Sequence, residues 1–349
     1  MVLGGSNSGA KGGWAHVLKG LVKEHHVDNK FLGAVGSLFG LLRLLKLDYD
    51  NSPKPDVVIF EYTLNDSLWH AGGAISLQMI EKTLHDVITY CARHRIKLLF
   101  LCLCVRPVNE GAGESEGSLF IDDLYRSVAR LRGVSDCLFQ ANILGQVCFE
   151  QYTDPLHLSQ ESAAQVASAV AARLRRAILI PNGSWRRIAF SYIDAMKAQI
   201  EDQASIINIV SSVFEGPFVE LRRGGVVRWR TGGRLMAVMV RSTEQSGLYR
   251  IRAGKEAVRK NAQSVARDKV ANLLTLHYVL KEFKDHSDIV IDLPVEEECL
   301  MGLPNDPTLM ECPPLTRLET QSLQINGILI YYRDGTISRL LEWIIVKIS

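Results

Sequence analysis

"VLGGSNSG", residues 2–9, runs a strand-like Val2-Leu3 pair into Gly4-Gly5 and then into Ser6, Asn7 and Ser8. The helical spacing of Trp14, Val17, Leu18 and Leu21 follows at once, so the stretch predicts a strand, a sharp turn and a helix. Glycines permit the tight backbone, and N–H groups at such a turn can face a developing anion. Taken alone, Ser6 or Ser8 reads equally well as a cap of the helix that follows, a position where serine is strongly favoured.

The same alternation continues to about residue 180. Candidate strands are Met1–Leu3, Val27–Leu32, Asp56–Tyr62, Ile96–Val105 and Asp136–Gln140. Between them, Leu77, Ile80, Leu84, Val87 and Cys91 share one helical face, as do Ala163, Val166, Val170, Leu174 and Ile178. Strands alternating with helices imply a parallel sheet covered on both faces, an α/β sandwich. In such sheets ligands bind beyond the carboxyl ends of the strands.

Pro181-Asn182-Gly183 interrupts this pattern. Beyond it, short alternating runs with glycine turns predominate, among them "FVELRRGGVVRWRTGGRLMAVMVRS" (218–242), "GLYRIRAG" (247–254) and "DIVIDLPV" (288–295). Asp334-Gly335 between two apolar runs predicts a hairpin. A helical stretch is expected over roughly 255–283. The expected organisation is therefore an α/β domain over 1–181 and a mainly β, sandwich-like domain over 184–349.

The chain has 349 residues, 47% of them hydrophobic, with 40 Lys plus Arg against 38 Asp plus Glu. That length suits about two domains at ~100–200 residues each. A formal net charge of +2 supplies no field that argues for nucleic acid or an anionic membrane. Seven cysteines without a C-x-x-C pair read as buried small hydrophobes in a reducing compartment, not as a disulfide framework or zinc site. No stretch reaches the ~18 uninterrupted apolar residues of a membrane span, and no basic region leads into a long apolar one at the start. The expected location is the cytoplasm.

Three further stretches carry chemistry. In "YTDPLHLSQESAAQ" (152–165), Asp154 and His157 stand three apart with Pro155 stiffening the turn between them. A carboxylate so placed can hold one imidazole nitrogen and leave the other to accept a proton from a serine. Asp154 reads alternatively as a turn cap, and Ser159 as the cap of the next helix. In "DVVIFEYTLNDSLW" (56–69), a strand delivers Asn65 and Asp66 to the carboxyl edge, where an amide can donate to an oxyanion; Asn-Asp is also common turn chemistry. In "VDNKFLGAVGSLFGLL" (27–42), a strand ends at Gly33 and a helix opens near Ser37.

In this order the four stretches resemble the SGNH (GDSL-type) hydrolase superfamily. Its blocks contribute a nucleophilic serine, an oxyanion-hole glycine, an oxyanion-hole asparagine and an Asp-x-x-His pair near the domain's end. Ser6 in "GGSNS" matches the first, Gly33 in "NKFLGAVGS" the second, Asn65 in "YTLND" the third, and Asp154 and His157 in "DPLH" the last. The resemblance covers residues 1 to about 180. One position departs: the family's Gly-Asp-Ser reads Gly4-Gly5-Ser6, which bears on loop support and substrate preference and leaves the nucleophile in place.

The resemblance implies a three-layer α/β/α sandwich. It also implies a serine carboxylester hydrolase with catalytic Ser6, Asp154 and His157, an oxyanion hole of Ser6, Gly33 and Asn65, and no metal or organic cofactor. An O-acyl (acetyl) esterase acting on a carbohydrate or small acylated metabolite is the expected activity. The alternatives are an O-acyltransferase of polysaccharide assembly using the same triad, and a glycan-binding or scaffold protein with a vestigial hydrolase domain. Trp185, Trp229 and Trp343, if exposed, would favour sugar stacking. The arginines 222, 223, 228, 230 and 234 around Trp229 read as the wet face of a strand.

Overall fold

The computed structural model describes residues 1–9, 11–108, 116–134, 136–176, 178–181, 187–211, 214–266, 269–270, 273–284, 288–308, 311 and 318–332. They form two compact units, Met1–Ile188 and Ala189–Ser349.

The first unit is built on β1 (Val2–Gly4), β2 (Val57–Glu61), β3 (Lys97–Cys102) and β4 (Cys137–Phe139), parallel and in that order across the sheet. The segment predicted as a strand at 27–32 lies on the other side of β1. There Val2 N–H donates to Asp28 O, Lys30 N–H to Val2 O and Leu32 N–H to Gly4 O, although only the Val2–Asn29 pair meets the criterion for a bridge. The chain therefore leaves β1 first to one side and then to the other. That reversal opens a crevice at the carboxyl end of β1, where Ser6 begins.

The helices are α1 (Ser6–Gly9), α2 (Trp14–Leu21), α3 (Ser37–Tyr49), α4 (Thr63–Ala71), α5 (Leu77–Arg93), α6 (Glu116–Leu131), α7 (Gln140–Leu144) and α8 (Gln160–Leu174). Alternation along the strands separates two cores. Ile59, Leu99 and Leu101 pack with Trp14 and Leu18 of α2 and with Val166 and Val170 of α8. Phe60 and Phe100 meet edge to face, and Phe100 meets Tyr125 of α6 in the same way. This is an α/β/α sandwich. Of the helical face expected near residue 170, Ile178 lies beyond the end of α8 yet remains buried.

The second unit is a β-sandwich. One sheet runs β15 (Leu273–Tyr278), β10 (Arg234–Ser242), β17 (Leu323–Tyr331), β8 (Glu215–Leu221), β7 (Ala204–Val210), with β5 (Phe190–Asp194) also on β17. The other runs β12 (Glu256–Asn261), β11 (Leu248–Ala253), β16 (Asp288–Asp292), β9 (Val226–Arg230), β6 (Gln199–Glu201). β13 (Val265–Ala266) pairs with β14 (Lys269–Val270), and α9 (Glu298–Met301) is a single turn. Val238, Val240, Ile325 and Ile328 from the first sheet share one apolar core with Val227, Trp229, Ile251 and Ile289 from the second.

Two expectations need correction, the helix over 255–283 and the burial of every cysteine. The helix predicted over roughly 255–283 is instead β12, the β13–β14 pair and β15. Gly254, at φ 58°, is the first residue of a two-residue hairpin turn between Ala253 and Glu256, and pairing with β11 overrides the helix propensity of the Ala- and Lys-rich run. Trp229 is buried, and its indole N–H donates to Asp194 O, so it offers no stacking surface. Cys91, Cys102 and Cys104 are buried as expected, but Cys299 is exposed. Glu298 opens the short α9. Trp185, Trp343, Cys312 and the Asp334-Gly335 hairpin lie outside the described residues. Arg228, half-buried beside buried Val227 and Trp229, pairs with Glu201 and Asp288, the wet face of a strand. No helix among the described residues is long and apolar enough to cross a membrane.

Candidate active site

Each of the three polar residues of "GGSNSG" faces a different neighbour. Ser6 starts α1 directly after β1 and Gly5, and its Oγ lies 2.9 Å from His157 Nε2. The other ring nitrogen, Nδ1, lies 2.8 and 2.9 Å from the two oxygens of Asp154. A proton on Nδ1 facing the carboxylate leaves Nε2 free to accept from the serine hydroxyl. Ser6, His157 and Asp154 are thus joined in one hydrogen-bonded row across the sheet's carboxyl edge.

Asp154 is both a turn cap and the imidazole's partner. Its Oδ1 accepts from Leu156 N at 2.9 Å and His157 N at 3.0 Å as well as from the ring. Partial burial pushes this carboxyl upward, but the bonds from Leu156 and His157 outweigh it and hold the group below the usual aspartate range. Thr153 N–H donates to His157 O, closing the loop. Arg106 N–H, just past β3, donates to Pro155 O, and the Arg106 guanidinium lies over the Phe149 ring. Ser159 caps α8 through Ser162 N, as predicted.

Gly33 and Asn65 approach the serine from two sides. A Cβ on Gly33 would lie 3.6 Å from Ser6 Cβ. Leu32 N–H on Gly4 O and Ser37 N–H on Asp66 Oδ1 hold the ends of this glycine loop. Ala34 within it stands at φ 57°, a left-handed conformation that costs a residue with a Cβ about 1 kcal/mol. Asn65 lies buried in the first turn of α4, with its amide against Gly5. A Cβ on Gly5 would sit 2.2 Å from Asn65 Oδ1. A side chain at position 5 would therefore require Asn65 to move.

Three groups outside the expected set support these. Asn7 bonds to Leu156 O and Leu158 N, on either side of His157. Glu61, buried at the end of β2, accepts from Gly5 N at 3.2 Å and Ser8 Oγ at 2.8 Å. Burial drives its carboxyl up to about 8, with the Ser8 and Gly5 bonds opposing. Asp66 joins Ser37 N to Tyr125 Oη and is raised by burial to about 6. One signal in the sequence did mark Glu61: it is the single charge in the apolar run "VVIFEY" (57–62). Among the described residues, no group of three or more His, Cys, Asp or Glu side chains is arranged to hold a metal ion.

No protein-family model and no curated protein sequence matches the chain. Solved structures do. A two-domain esterase active on acetylated mannans, solved with mannopentaose, aligns over 95% of this chain and 91% of its own at TM-score 0.60 and 14% identity. An acetyl xylan esterase aligns over 50% of this chain and 98% of its own at TM-score 0.41 and 16% identity. The aryl esterase of M. smegmatis aligns over 50% and 97% at TM-score 0.39 and 15% identity. With its parallel sheet, its covering helices and the β-sandwich that follows, the chain has the fold of that two-domain esterase, an α/β/α unit followed by a β-rich unit.

Proposed function

We propose that the first unit is a serine carboxylester hydrolase that removes acetyl groups from a carbohydrate. The observation that carries this reading is the row from Ser6 Oγ through His157 to Asp154. As Ser6 Oγ attacks the ester carbonyl, His157 Nε2 takes its proton, and Asp154 stabilises the imidazolium without becoming protonated. The N–H groups of Ser6 and Gly33 and the Asn65 amide receive the oxyanion. His157 returns the proton to the departing sugar oxygen, leaving an acetyl-serine. Water, deprotonated by His157, then attacks that acyl group, and as acetate leaves His157 returns the proton to Ser6 Oγ.

The carbohydrate half of the reading draws on the fold's likeness to an esterase active on acetylated mannans. It draws nothing from Trp229, which is buried.

The test pairs a fluorophosphonate probe with acetate release from acetylated mannan, acetylated xylan and p-nitrophenyl esters of rising chain length. Wild type should label and release acetate, and Ser6→Ala should do neither. Equal labelling of the two proteins removes Ser6 as nucleophile. Turnover confined to long-chain p-nitrophenyl esters removes the acetylated-sugar substrate but leaves the esterase.

A further inference from the structure

Asn7 follows the serine and is 6% exposed. Its Nδ2 donates to Leu156 O at 2.7 Å, and its Oδ1 accepts from Leu158 N at 3.0 Å. These are the peptide groups on either side of His157. One donor to the residue before and one acceptor from the residue after is the pattern by which a backbone peptide joins a parallel neighbour. Here a side-chain amide reproduces it, across about 150 positions of sequence.

The loop's own bonds, from Asp154 Oδ1 to Leu156 N and His157 N and from Thr153 N to His157 O, set its internal shape and the tilt of the imidazole. They lie within residues 153–157; Arg106 N–H on Pro155 O ties the loop to the segment after β3, and none of these bonds runs to the turn that carries the serine. The amide of Asn7 spans that gap, one residue from Ser6 and centred on His157. On the other side of the serine, Gly5 N–H is held by Glu61. The nucleophile is therefore flanked by one residue fastened to β2 and one fastened to the histidine loop.

We propose that Asn7 is the positioning residue that sets the Ser6–His157 separation; the catalytic consequence rests on the esterase reading, the geometric one does not. An Asn amide is suited to the task because both of its ends are used. Alanine removes both bonds, and aspartate keeps the acceptor for Leu158 N–H but sets a carboxylate oxygen against Leu156 O.

The test compares wild type, Asn7→Ala and Asn7→Asp by crystal structure and by kinetics on p-nitrophenyl acetate. In both variants the Ser6 Oγ–His157 Nε2 distance should open beyond about 3.5 Å, outside hydrogen-bond reach. The value of kcat should fall roughly a hundredfold with KM nearly unchanged, the cost of a misplacement of about 1 Å. A folded Asn7→Ala that keeps the 2.9 Å contact, or that keeps wild-type kcat while its melting temperature falls, overturns the proposal and leaves Asn7 a structural residue. Failure of both variants to fold overturns it as well. If the distance opens in the variants while wild type turns over no ester, the positioning role stands and the esterase reading falls.

Discussion

Glu61 in the first unit and Asp306 in the second are both buried carboxyls, and they are held in opposite ways. Asp306 is saturated: Oδ1 receives the Lys260 ammonium at 2.7 Å, and Oδ2 accepts from Leu280 N and Lys281 N. Lys260 in turn reaches Tyr278 O, Asp306 O and Pro307 O. Glu61 places both of its accepted bonds on Oε2, from Gly5 N and Ser8 Oγ, while Oε1 is buried without a hydrogen-bond partner among the described residues. A buried polar atom left unsatisfied costs about 1–3 kcal/mol. The second unit uses its buried charge to hold its own sandwich together. The first accepts an imperfect environment for a carboxyl whose bonds go to the turn carrying Ser6.

The largest effect expected is from His157→Ala, which should lower ester turnover by roughly 10⁴-fold or more. Asp154 keeps its bonds from Leu156 N and the backbone of residue 157, so the melting temperature should stay near that of wild type. Substantial turnover in this variant would break the division between a unit organised around a site and one organised around its fold. Lys260→Met should do the converse. Stranding Asp306 should destabilise the second unit by about 3–5 kcal/mol, read from denaturant unfolding of the full chain. A loss below about 1 kcal/mol would mean that Asp306 does not depend on its buried partner.

Gly5→Asp restores the family's motif and should nevertheless impair the protein. The new Cβ displaces Asn65, so kcat should fall by as much as the loss of one oxyanion donor, roughly 10²–10³-fold. Adding Asn65→Ala to that background should then cost little more. Unchanged kcat in Gly5→Asp would mean that the amide is not needed where it stands.

A pH series sharpens the contrast between the two carboxyls directly. The Glu61 carboxyl titrates at about 8 in the folded protein against an ordinary 4.5. The native state therefore holds a proton that the unfolded chain has released, and stability declines as pH rises from about 4.5 to about 8. Glu61→Gln, with a neutral amide of the same shape, should flatten that decline, and melting temperatures of both proteins across pH 5–9 would show it. Parallel curves would place the ionisation of Glu61 elsewhere.

The parallel sheet was legible because its strands are buried on both faces and so read as continuous apolar runs, "VVIFEY" (57–62) and "LLFLCLC" (98–104). The residues of the candidate site were legible for a related reason. Ser6 and Asn65 follow β1 and β2 by a few positions, and parallel topology brings the ends of those strands to one edge, whereas Asp154 and His157 stand well past β4, beyond α7, and were legible from their Asp-x-x-His spacing. Residues 255–283 misled because Ala, Lys, Arg and Glu favour a helix locally, whereas pairing across the Gly254 turn is a long-range outcome. Trp229 was open in the sequence: the alternation with arginines read as the wet face of a strand, and β9 turns the tryptophan into the core.

What this sequence determined by itself was the order of elements and the identity of the groups they deliver. Ser6 and Asn65 lie just past the ends of β1 and β2 because hydrophobic periodicity fixes where strands stop, while Gly33 and the Asp154–His157 pair sit in loops. What only the tertiary structure decided was which groups meet. That Asn65 fills the space beside Gly5, that Glu61 reaches beneath the turn, and that Asn7 bridges to both neighbours of His157 are contacts between residues about 55 to 150 positions apart. A hydrogen bond depends on distances of a few tenths of an ångström, and local pattern carries no information at that scale.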